Sequence, residues 1–272
     1  MMTWFAQPLT TLAFCWHLAR RDGVAIGLTS HDQDLWIDGF LYRASPGMMP
    51  SAVVMGSGLD AATLDVSGGV SSSAISEPDL MAGRWDGARL RLFAVEWATT
   101  GAQRMALAEG ELGEVTTVDG SFTAELRGIA AALDGPTVEL TSPDCRADFG
   151  DKRCRVALAA HRHYARILSV QDELTVEIDL PGTEGDRFAH GHVRWLEGRN
   201  SGLLSRIARS TGAFLHLRES PPADVTPGML VELQEGCPKI FAACRDRFGN
   251  ALNFQGEPHL PGMDLLTRYP SA

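Results

Sequence analysis

The sequence has no long apolar run. No segment of its 272 residues reaches the roughly 18–20 consecutive apolar residues that a membrane-spanning helix needs. The apolar stretch near the start has no basic residues before it, and Arg20 and Arg21 follow it, which argues against a secretory signal. Because cysteines of a chain that is not exported stay reduced, we expect disulfides to be the less favoured use of this chain's cysteines.

The common sequence signatures of enzymes are also missing. The glycines at 56–58 and 68–69 lack the Gly-x-Gly-x-x-Gly spacing of a dinucleotide site, and no Lys-Ser/Thr follows them as in a phosphate-binding loop. Neither a nucleophile elbow nor a Cys–His catalytic signature is present. We therefore predict that the protein is not an enzyme.

Negative charge exceeds positive charge over the whole chain, and two cysteine-bearing segments reverse this balance locally. The formal net charge is −10, which argues against a general nucleic-acid binder, and we expect no direct sequence-specific binding of nucleic acid. The segments 144–155 and 237–247 together hold seven Lys/Arg against four Asp, a local balance of +3. Both segments contain two cysteines, and cationic neighbours stabilise thiolates and the residual negative charge of a thiolate-ligated metal centre.

The pattern of apolar residues predicts a mainly β fold with few short helices. Apolar residues make up 44% of the chain and charged residues 21%, values typical of globular proteins that bury a core without a metal. Asp22-Gly23 and Asp38-Gly39 separate alternating segments and predict hairpins. Ser76 precedes a short helix as its cap, and GIAAALDGP predicts another short helix at 128–136.

The chain is predicted to form two regions with a boundary near 137–143. The first, 1–140, is a β-rich domain. The second, 141–272, contains both cysteine-bearing segments, and about six strands in the 75 residues between these segments predict a small barrel or sandwich at about 160–233.

Four of the five cysteines form two pairs that invite a shared ligand: Cys145 with Cys154, and Cys237 with Cys244. Four thiolates suit an iron–sulfur cluster or zinc. The gaps of eight and six residues match neither a zinc knuckle nor a ferredoxin, so free cysteines and disulfides stay open as alternatives. Cys15 has no second cysteine near it and is predicted to be a small buried apolar residue.

Histidines offer weaker candidates. His161 with His163, and His190 with His192, have the one-apart spacing that places both rings of a pair on one strand face. No Asp, Glu or Cys partner is evident beside them, so a solvated strand face is favoured over a metal site. The run from Ser30 to Asp34 predicts a polar turn.

Several motifs resemble one known family. These are the Cys-x8-Cys and Cys-x6-Cys pairs followed by Phe-Gly-Asn and Asn-Phe-x-Gly-x-Pro-x-x-Pro-Gly, and, nearer the start, Arg-Arg-Asp-Gly, Thr-Ser-His-Asp-Gln-Asp-Leu, Gly-Arg-Trp-Asp-Gly-Ala and Gly-Glu-Leu-Gly-Glu-Val. Together they resemble the tail-tip or baseplate hub proteins of long-tailed phages and of gene transfer agents. The likeness covers nearly the whole chain.

The resemblance implies a structural role. It implies barrel-like hub domains, a cysteine-ligated C-terminal region and a trimeric ring that joins the tail tube to the tip. It also implies contacts with a distal tail ring, a tip or fibre protein and a cell-wall peptidase, and assembly in the bacterial cytoplasm into the tail tip of a particle. Four residues carry the family's [4Fe–4S] ligand role, namely Cys145, Cys154, Cys237 and Cys244. The alternatives are an iron–sulfur electron-transfer protein and a binding module stapled by Zn²⁺.

Two expectations concern the mechanics of this arrangement. The cysteine pairs bracket an insert of 82 residues, 155–236, so a shared centre would hold both ends of the insert. The tail from Arg245 onward has little apolar periodicity, and we expect it to wrap over the cysteine site. Its anchors are Phe248 and Phe254, and the apolar cover includes Phe149, Ile240 and Phe241. Contacts between subunits are expected in the first 140 residues.

Overall fold

The structure, a computed structural model, describes residues 11–45, 49–50, 63–69, 75–99, 104–118, 121–128, 138–180 and 185–260. The chain divides into two compact units, Met1–Thr137 and Val138–Ala272. Among the described residues, strands dominate and the helices are short, which confirms the mainly β prediction. None of these helices is long and apolar enough to cross a membrane. The helix predicted at 128–136 lies almost wholly outside the described residues.

The first unit contains one mixed sheet and a short helix. Its strands are β1 Leu12–Ala19, β2 Ala25–Thr29, β3 Leu35–Ile37, β4 Phe40–Ala44, β5 Met49–Pro50, β6 Thr63–Gly69, β7 Arg89–Glu96, β8 Arg104–Val118 and β9 Ser121–Arg127. Helix α1 is Glu77–Met81, and a 3-10 turn covers Trp97–Thr99. The strand order is β3-β4-β2-β1-β7-β8-β9-β6-β5. Strands β2 and β4 pair in parallel, and the other described pairs are antiparallel.

Turn and cap residues act here as their sequence predicts. Antiparallel β1 and β2 enclose the Asp22-Gly23 turn. Between β3 and β4, Asp38 and Gly39 both have positive φ, 52° and 77°, the requirement of a tight hairpin turn whose twist matches its strands. Ser76 caps α1 by accepting a hydrogen bond from the backbone N–H of Asp79 at 3.3 Å.

Apolar side chains pack on both faces of the sheet at β1 and β7. On β7, Leu90, Leu92 and Ala94 alternate with exposed residues and are buried. Leu90 and Leu92 join Trp16 in the larger core cluster. Cys15 is fully buried in a second cluster with neighbours such as Tyr42, which confirms its predicted role as a small apolar residue.

The second unit contains a closed six-stranded barrel, with strand order β10-β11-β14-β13-β12-β15. Its strands are β10 Arg162–Val170, β11 Thr175–Ile178, β12 His192–Trp195, β13 Leu204–Thr211, β14 Phe214–Leu217 and β15 Leu230–Gln234. Helix α2 is Phe241–Asp246, and 3-10 turns cover Leu158–His161 and Ala251–Asn253. The sequence predicted a barrel or a sandwich, and the fold is a barrel.

The barrel encloses a core of its own, dominated by Trp195, Phe188 and Ile207. The indole N–H of buried Trp195 donates to Ser205 Oγ at 2.9 Å, so the large ring leaves no unpaired donor. The first strand and the last are neighbours, with Arg162 opposite Gln234. The chain therefore enters and leaves the barrel at the same place, which brings the two cysteine-bearing segments together.

Candidate functional site

One enclosed cavity is lined by four cysteines from the chain segments that precede and follow the barrel: Cys145, Cys154, Cys237 and Cys244. Cys154 and Cys244 are buried, and the other two are partly buried. The cavity volume is about 10 Å³, far below the roughly 300 Å³ of a small-molecule pocket. The site therefore has no room for an organic ligand, whereas metal–thiolate bonds of about 2.3 Å need far less space than van der Waals contacts.

Backbone hydrogen bonds hold the two cysteine segments side by side. The N–H of Cys145 donates to the carbonyl oxygen of Lys239 at 2.8 Å. Lys239 has a positive φ of 65°, which turns the chain between Cys237 and α2. From the far side, Asn250 donates its side-chain N–H to the carbonyl oxygen of Cys154 at 2.6 Å. The residues after the last cysteine thus bind back onto the first pair.

Helix α2 presents Cys244 to the cavity. The Cys244 N–H donates to the carbonyl oxygen of Ile240 at 3.1 Å, and the Asn250 N–H donates to the carbonyl oxygen of Cys244 at 2.9 Å. The thiol of Cys244 donates to the carbonyl oxygen of Asn250 at 3.3 Å. This last bond exists only while the thiol is protonated, so a metal bound at Cys244 would replace it.

Groups around the cavity favour sulfur ligands with negative charge. The Gln255 N–H donates to Cys145 Sγ at 3.4 Å, and Asn250 Nδ2 lies 3.8 Å from Cys154 Sγ. Lys239 also lines the cavity, and no carboxylate belongs to the lining formed by the described residues. N–H donors and a cation stabilise thiolates in such a site.

Burial opposes the free thiolate. Burial raises the pKa of the Cys237 thiol, with Lys239 acting in the opposite direction and Cys154 and Cys145 adding to the rise. The pKa of the Cys244 thiol is raised by burial and by the other three cysteines. The thiols of Cys237 and Cys244 therefore favour protonation when no cation lies among the four cysteines, and a bound metal centre would reverse this preference.

Aromatic rings cover the cavity. Phe149, Phe248 and Phe254 line it, and the rings of Phe149 and Phe248 lie 4.8 Å apart. Phe241 packs against Phe254 at 5.2 Å, behind the lining. The prediction that Ile240 belongs to the cover is wrong: its side chain is 48% exposed and lies outside the lining, because Ile240 is the N-cap residue that precedes α2.

A second set of bonds closes the segments over the site. Arg146 forms a two-pronged ion pair with Glu257, at 2.7 and 2.8 Å, and the Ser142 N–H donates to Glu257 at 2.9 Å. Gly256 lies so close to the other segment that a Cβ there would be 2.6 Å from the carbonyl oxygen of Asp144. Only glycine permits this approach.

A buried carboxylate at the end of β15 joins the barrel to the cysteine segments. Glu235 has a side chain only 4% exposed and binds four partners: His161 at 3.1 Å, His163 at 2.9 Å, and Arg187 and Arg247 at 2.7 Å each. Burial alone would raise the pKa of Glu235, but hydrogen bonds from these four partners outweigh it and lower the pKa to about 2. The carboxylate is therefore ionised, as buried charges with full hydrogen bonding are.

The expectation of a solvated histidine face is wrong at His161 and His163. Both rings bind Glu235, a partner 72 or more residues away that short spacing patterns do not reveal. The His161 ring also contacts Phe149 at 5.7 Å and Phe248 at 5.3 Å, two rings that line the cysteine cavity. The Glu235 cluster thus lies directly behind the cavity wall.

The second histidine pair does not share a strand face. His190 precedes β12 and has a positive φ of 62°, whereas His192 begins the strand and is half-buried. The Ser30–Asp34 run forms the predicted polar turn, in which the Gln33 N–H donates to His31 Nδ1 at 3.0 Å and Asp34 accepts from the Ala44 N–H at 2.8 Å.

The four thiols do not form a compact single-ion site. Among the described residues, no three His, Cys, Asp or Glu side chains are arranged to hold one metal ion. In a tetrahedral zinc site the sulfurs lie about 3.8 Å apart, because each Zn–S bond is about 2.3 Å. A cluster holds its cysteines farther apart, since iron and sulfide lie between them.

A solved structure resembles the chain along nearly its whole length. The matching chain comes from the "Virion of native gene transfer agent (GTA) particle" and is 37% identical. The match covers 99% of this chain and 94% of the other, with a TM-score of 0.87. No curated protein matches the chain. Fold and likeness together define a structural component of a phage-type particle.

Family models identify the type of component. Residues 1–157 match "Baseplate hub protein, N-terminal attachment domain", and residues 186–264 match "Phage conserved hypothetical protein BR0599". The chain belongs to the baseplate hub protein family. It is a structural protein and not an enzyme, as the sequence predicted.

Proposed function

We propose that this protein forms a ring, a trimer by its resemblance, that joins the tail tube to the tip of a phage-type particle. Family membership and the likeness to a virion chain support this role. Its neighbours would be a distal tail ring, a tip or fibre protein and a cell-wall peptidase, and assembly would take place in the bacterial cytoplasm.

Electron microscopy of labelled particles tests the position. A small tag at residue 2, visualised with a gold-conjugated binder, should appear at the tail end distal to the capsid. Particles assembled without the protein should lack a normal tip. Labels along the tube or on the capsid would contradict the hub role.

The second part of the proposal is that Cys145, Cys154, Cys237 and Cys244 hold a [4Fe–4S] cluster. The observation that carries it is the convergence of these four thiols, from segments on either side of an 82-residue insert, on one enclosed cavity. The donor set is all-thiolate, the cover is aromatic, and N–H groups of Gln255 and Asn250 point at sulfur. These are the surroundings that cysteine-ligated clusters require.

In this proposal the cluster is a cross-link. It supplies four metal–thiolate bonds, which fix the entry and exit of the insert against each other. The chain's own residues do the rest: Arg146 with Glu257 and the Glu235 cluster hold the segments in place, and the phenylalanines exclude water. Closing a long loop has a large entropic cost, which such a cross-link offsets.

Single substitutions test the ligands. Anaerobically purified protein should be brown, with broad absorbance near about 400 nm. Replacing any one of the four cysteines by serine should bleach it, and the matched control Cys15→Ser should keep the colour because Cys15 lies in the other unit's core. Colour that survives all four single changes would overturn the ligand assignment. A reversible redox couple shared with a soluble partner would favour the electron-transfer alternative.

A further inference from the structure

The outer face of the barrel carries three arginines in register. Across neighbouring strands, Gln234 of β15 lies opposite both Arg162 of β10 and His192 of β12. His192 in turn lies opposite Arg206 of β13. Arg194 is two residues beyond His192, so its side chain is on the same face. All three arginines are exposed. We call this surface, Arg162, Arg194, Arg206 and the residues between them, the basic face.

The three guanidinium groups have no hydrogen-bond or ion-pair partner among the described residues. No side-chain hydrogen bond or ion pair involves Arg162, Arg194 or Arg206 in the part of the chain that the structure describes. These three positive charges act on the neighbouring His192. Burial lowers the pKa of His192, and the three arginines lower it further. Glu232 acts in the opposite direction, but it is a single carboxylate, nearly buried and bonded to the Tyr164 hydroxyl at 3.1 Å. The basic face therefore keeps its positive charge in a chain whose net charge is −10.

The face also presents apolar contact area. Tyr164 is 62% exposed and Leu204 is 60% exposed, and both lie in the same cross-strand row as Arg194 and Glu232. Arginine and tyrosine are the residue types that dominate the binding energy of protein interfaces.

A complementary groove lies elsewhere on the same barrel. It has a volume of about 580 Å³, and its charged lining residues are Asp172, Glu173 and Asp224. All three are exposed, and no ion pair involves them among the described residues. Its apolar walls are Val170, Val176, Pro221, Pro222 and Val225. We call this the acidic groove.

We propose that the basic face of one copy docks into the acidic groove of a second copy of this chain. Three arginines without ion-pair partners among the described residues meet three exposed carboxylates, and Tyr164 and Leu204 meet the valines and prolines of the groove. Because the two surfaces differ, the contact is heterologous, and repetition of such a contact closes a ring when the rotation permits. The inference rests on the proposed hub ring and adds a contact in the second unit to those expected in the first.

Charge reversal in the full-length chain tests the contact. The face variant is Arg162→Glu/Arg194→Glu/Arg206→Glu, and the groove variant is Glu173→Lys/Asp224→Lys. Asp172 stays unchanged because its carboxylate accepts the Leu174 N–H at 2.8 Å and shapes the turn. The matched control is Arg209→Glu, an exposed arginine of β13 outside the basic face. Sedimentation at several protein concentrations measures self-association, and circular dichroism checks folding.

We expect each variant alone to associate at least about tenfold more weakly than the wild type, since like charges across an interface cost several kcal/mol. The control should be unchanged. A chain that carries both sets of changes should regain association, because every contact then pairs a reversed face with a reversed groove, and this recovery excludes misfolding as the cause.

Three results would overturn the proposal: a wild-type chain that stays monomeric at all concentrations, variants that associate like the wild type, or a chain with both sets of changes that does not recover. If only the face variant failed to enter particles while self-association stayed normal, the face would bind another acidic protein. If the face variant lost binding to a DNA oligonucleotide instead, the occupant would be nucleic acid. Variants that still form normal rings would contradict this contact but leave the hub role intact. Wild-type rings that are absent from tail tips would contradict the hub role alone.

Discussion

Cysteines are buried in both units of this protein, but in opposite surroundings. Cys15 lies among apolar side chains, and its one polar contact is Thr29 Oγ1 at 3.5 Å. Burial raises the pKa of Cys15 to about 11. The four cysteines of the second unit face one another, a lysine and donating N–H groups. A buried thiol is thus an apolar packing residue in one unit and a candidate ligand in the other, and its neighbours decide which.

The two units also differ in what completes them. The sheet of the first unit packs its own large core around Trp16, Leu90 and Leu92. The barrel of the second unit is equally self-contained, but the segments outside it, 138–161 and 236–260, contribute no described residue to a core cluster. They are joined by polar bonds and by the phenylalanines around the cysteine cavity. These segments are therefore the part of the molecule that a metal centre would stabilise most.

Removing the metal should produce the largest difference in stability between the two units. Anaerobic treatment with a chelator and an oxidant that dissolves clusters should leave the first unit folded, while limited proteolysis cuts residues 138–161 and 236–260 rapidly. Untreated protein, digested in parallel, should resist. Equal resistance of both forms would show that the centre is not a structural cross-link, and the electron-transfer alternative would move ahead.

Loss of the buried carboxylate should come next in size. Glu235→Ala leaves Arg187, Arg247 and two histidines without their shared anion, and we expect the second unit to lose on the order of 3 kcal/mol of unfolding free energy. Glu232→Ala is the control. This change removes the hydrogen bond that the Tyr164 hydroxyl donates to Glu232, and we expect a loss of about 1 kcal/mol of unfolding free energy. Denaturant titration followed by tryptophan fluorescence measures both. Equal effects of the two variants would contradict the special role of Glu235.

Replacing Cys15, the cysteine that lies apart from the other four, should have a smaller effect on stability, and that effect should fall on the first unit. Cys15→Ser puts a hydroxyl into an apolar cluster, and we expect the first unit to lose about 1 kcal/mol, because Thr29 offers the hydroxyl a partner. Thermal unfolding with unit-specific proteolysis locates the change. A loss of colour or of second-unit stability in this variant would contradict the separation of roles.

The smallest effect concerns pH. Because the pKa of His192 is lowered from 6.5, the unfolded chain takes up a proton before the folded chain does, so this residue's contribution to stability falls as pH drops below about 6.5. Proton NMR should show a folded pKa under 6.5, and Arg194→Gln should raise it by removing one neighbouring charge. A His192 pKa that Arg194→Gln leaves unchanged would contradict the field described for the basic face.

Local patterns predicted the elements well, and long-range partners poorly. Alternation in β7, the Asp-Gly turns and the Ser76 cap depend on neighbours in sequence, and the structure confirms them. The Glu235 cluster depends on strands that pair across the barrel, so spacing around His161 could not predict it. Ile240 failed as a cover residue for a related reason: whether a residue faces the cavity depends on where α2 begins.

Elemental analysis of the wild-type chain tests the central claim most directly. Protein purified without oxygen should contain about four iron and four acid-labile sulfide atoms per chain, the composition of a [4Fe–4S] cluster, and little zinc. The chain with all four cysteines of the second unit replaced by serine should contain neither iron nor sulfide. One zinc per wild-type chain with no sulfide, or a metal-free chain that still folds and assembles normally, would contradict the account.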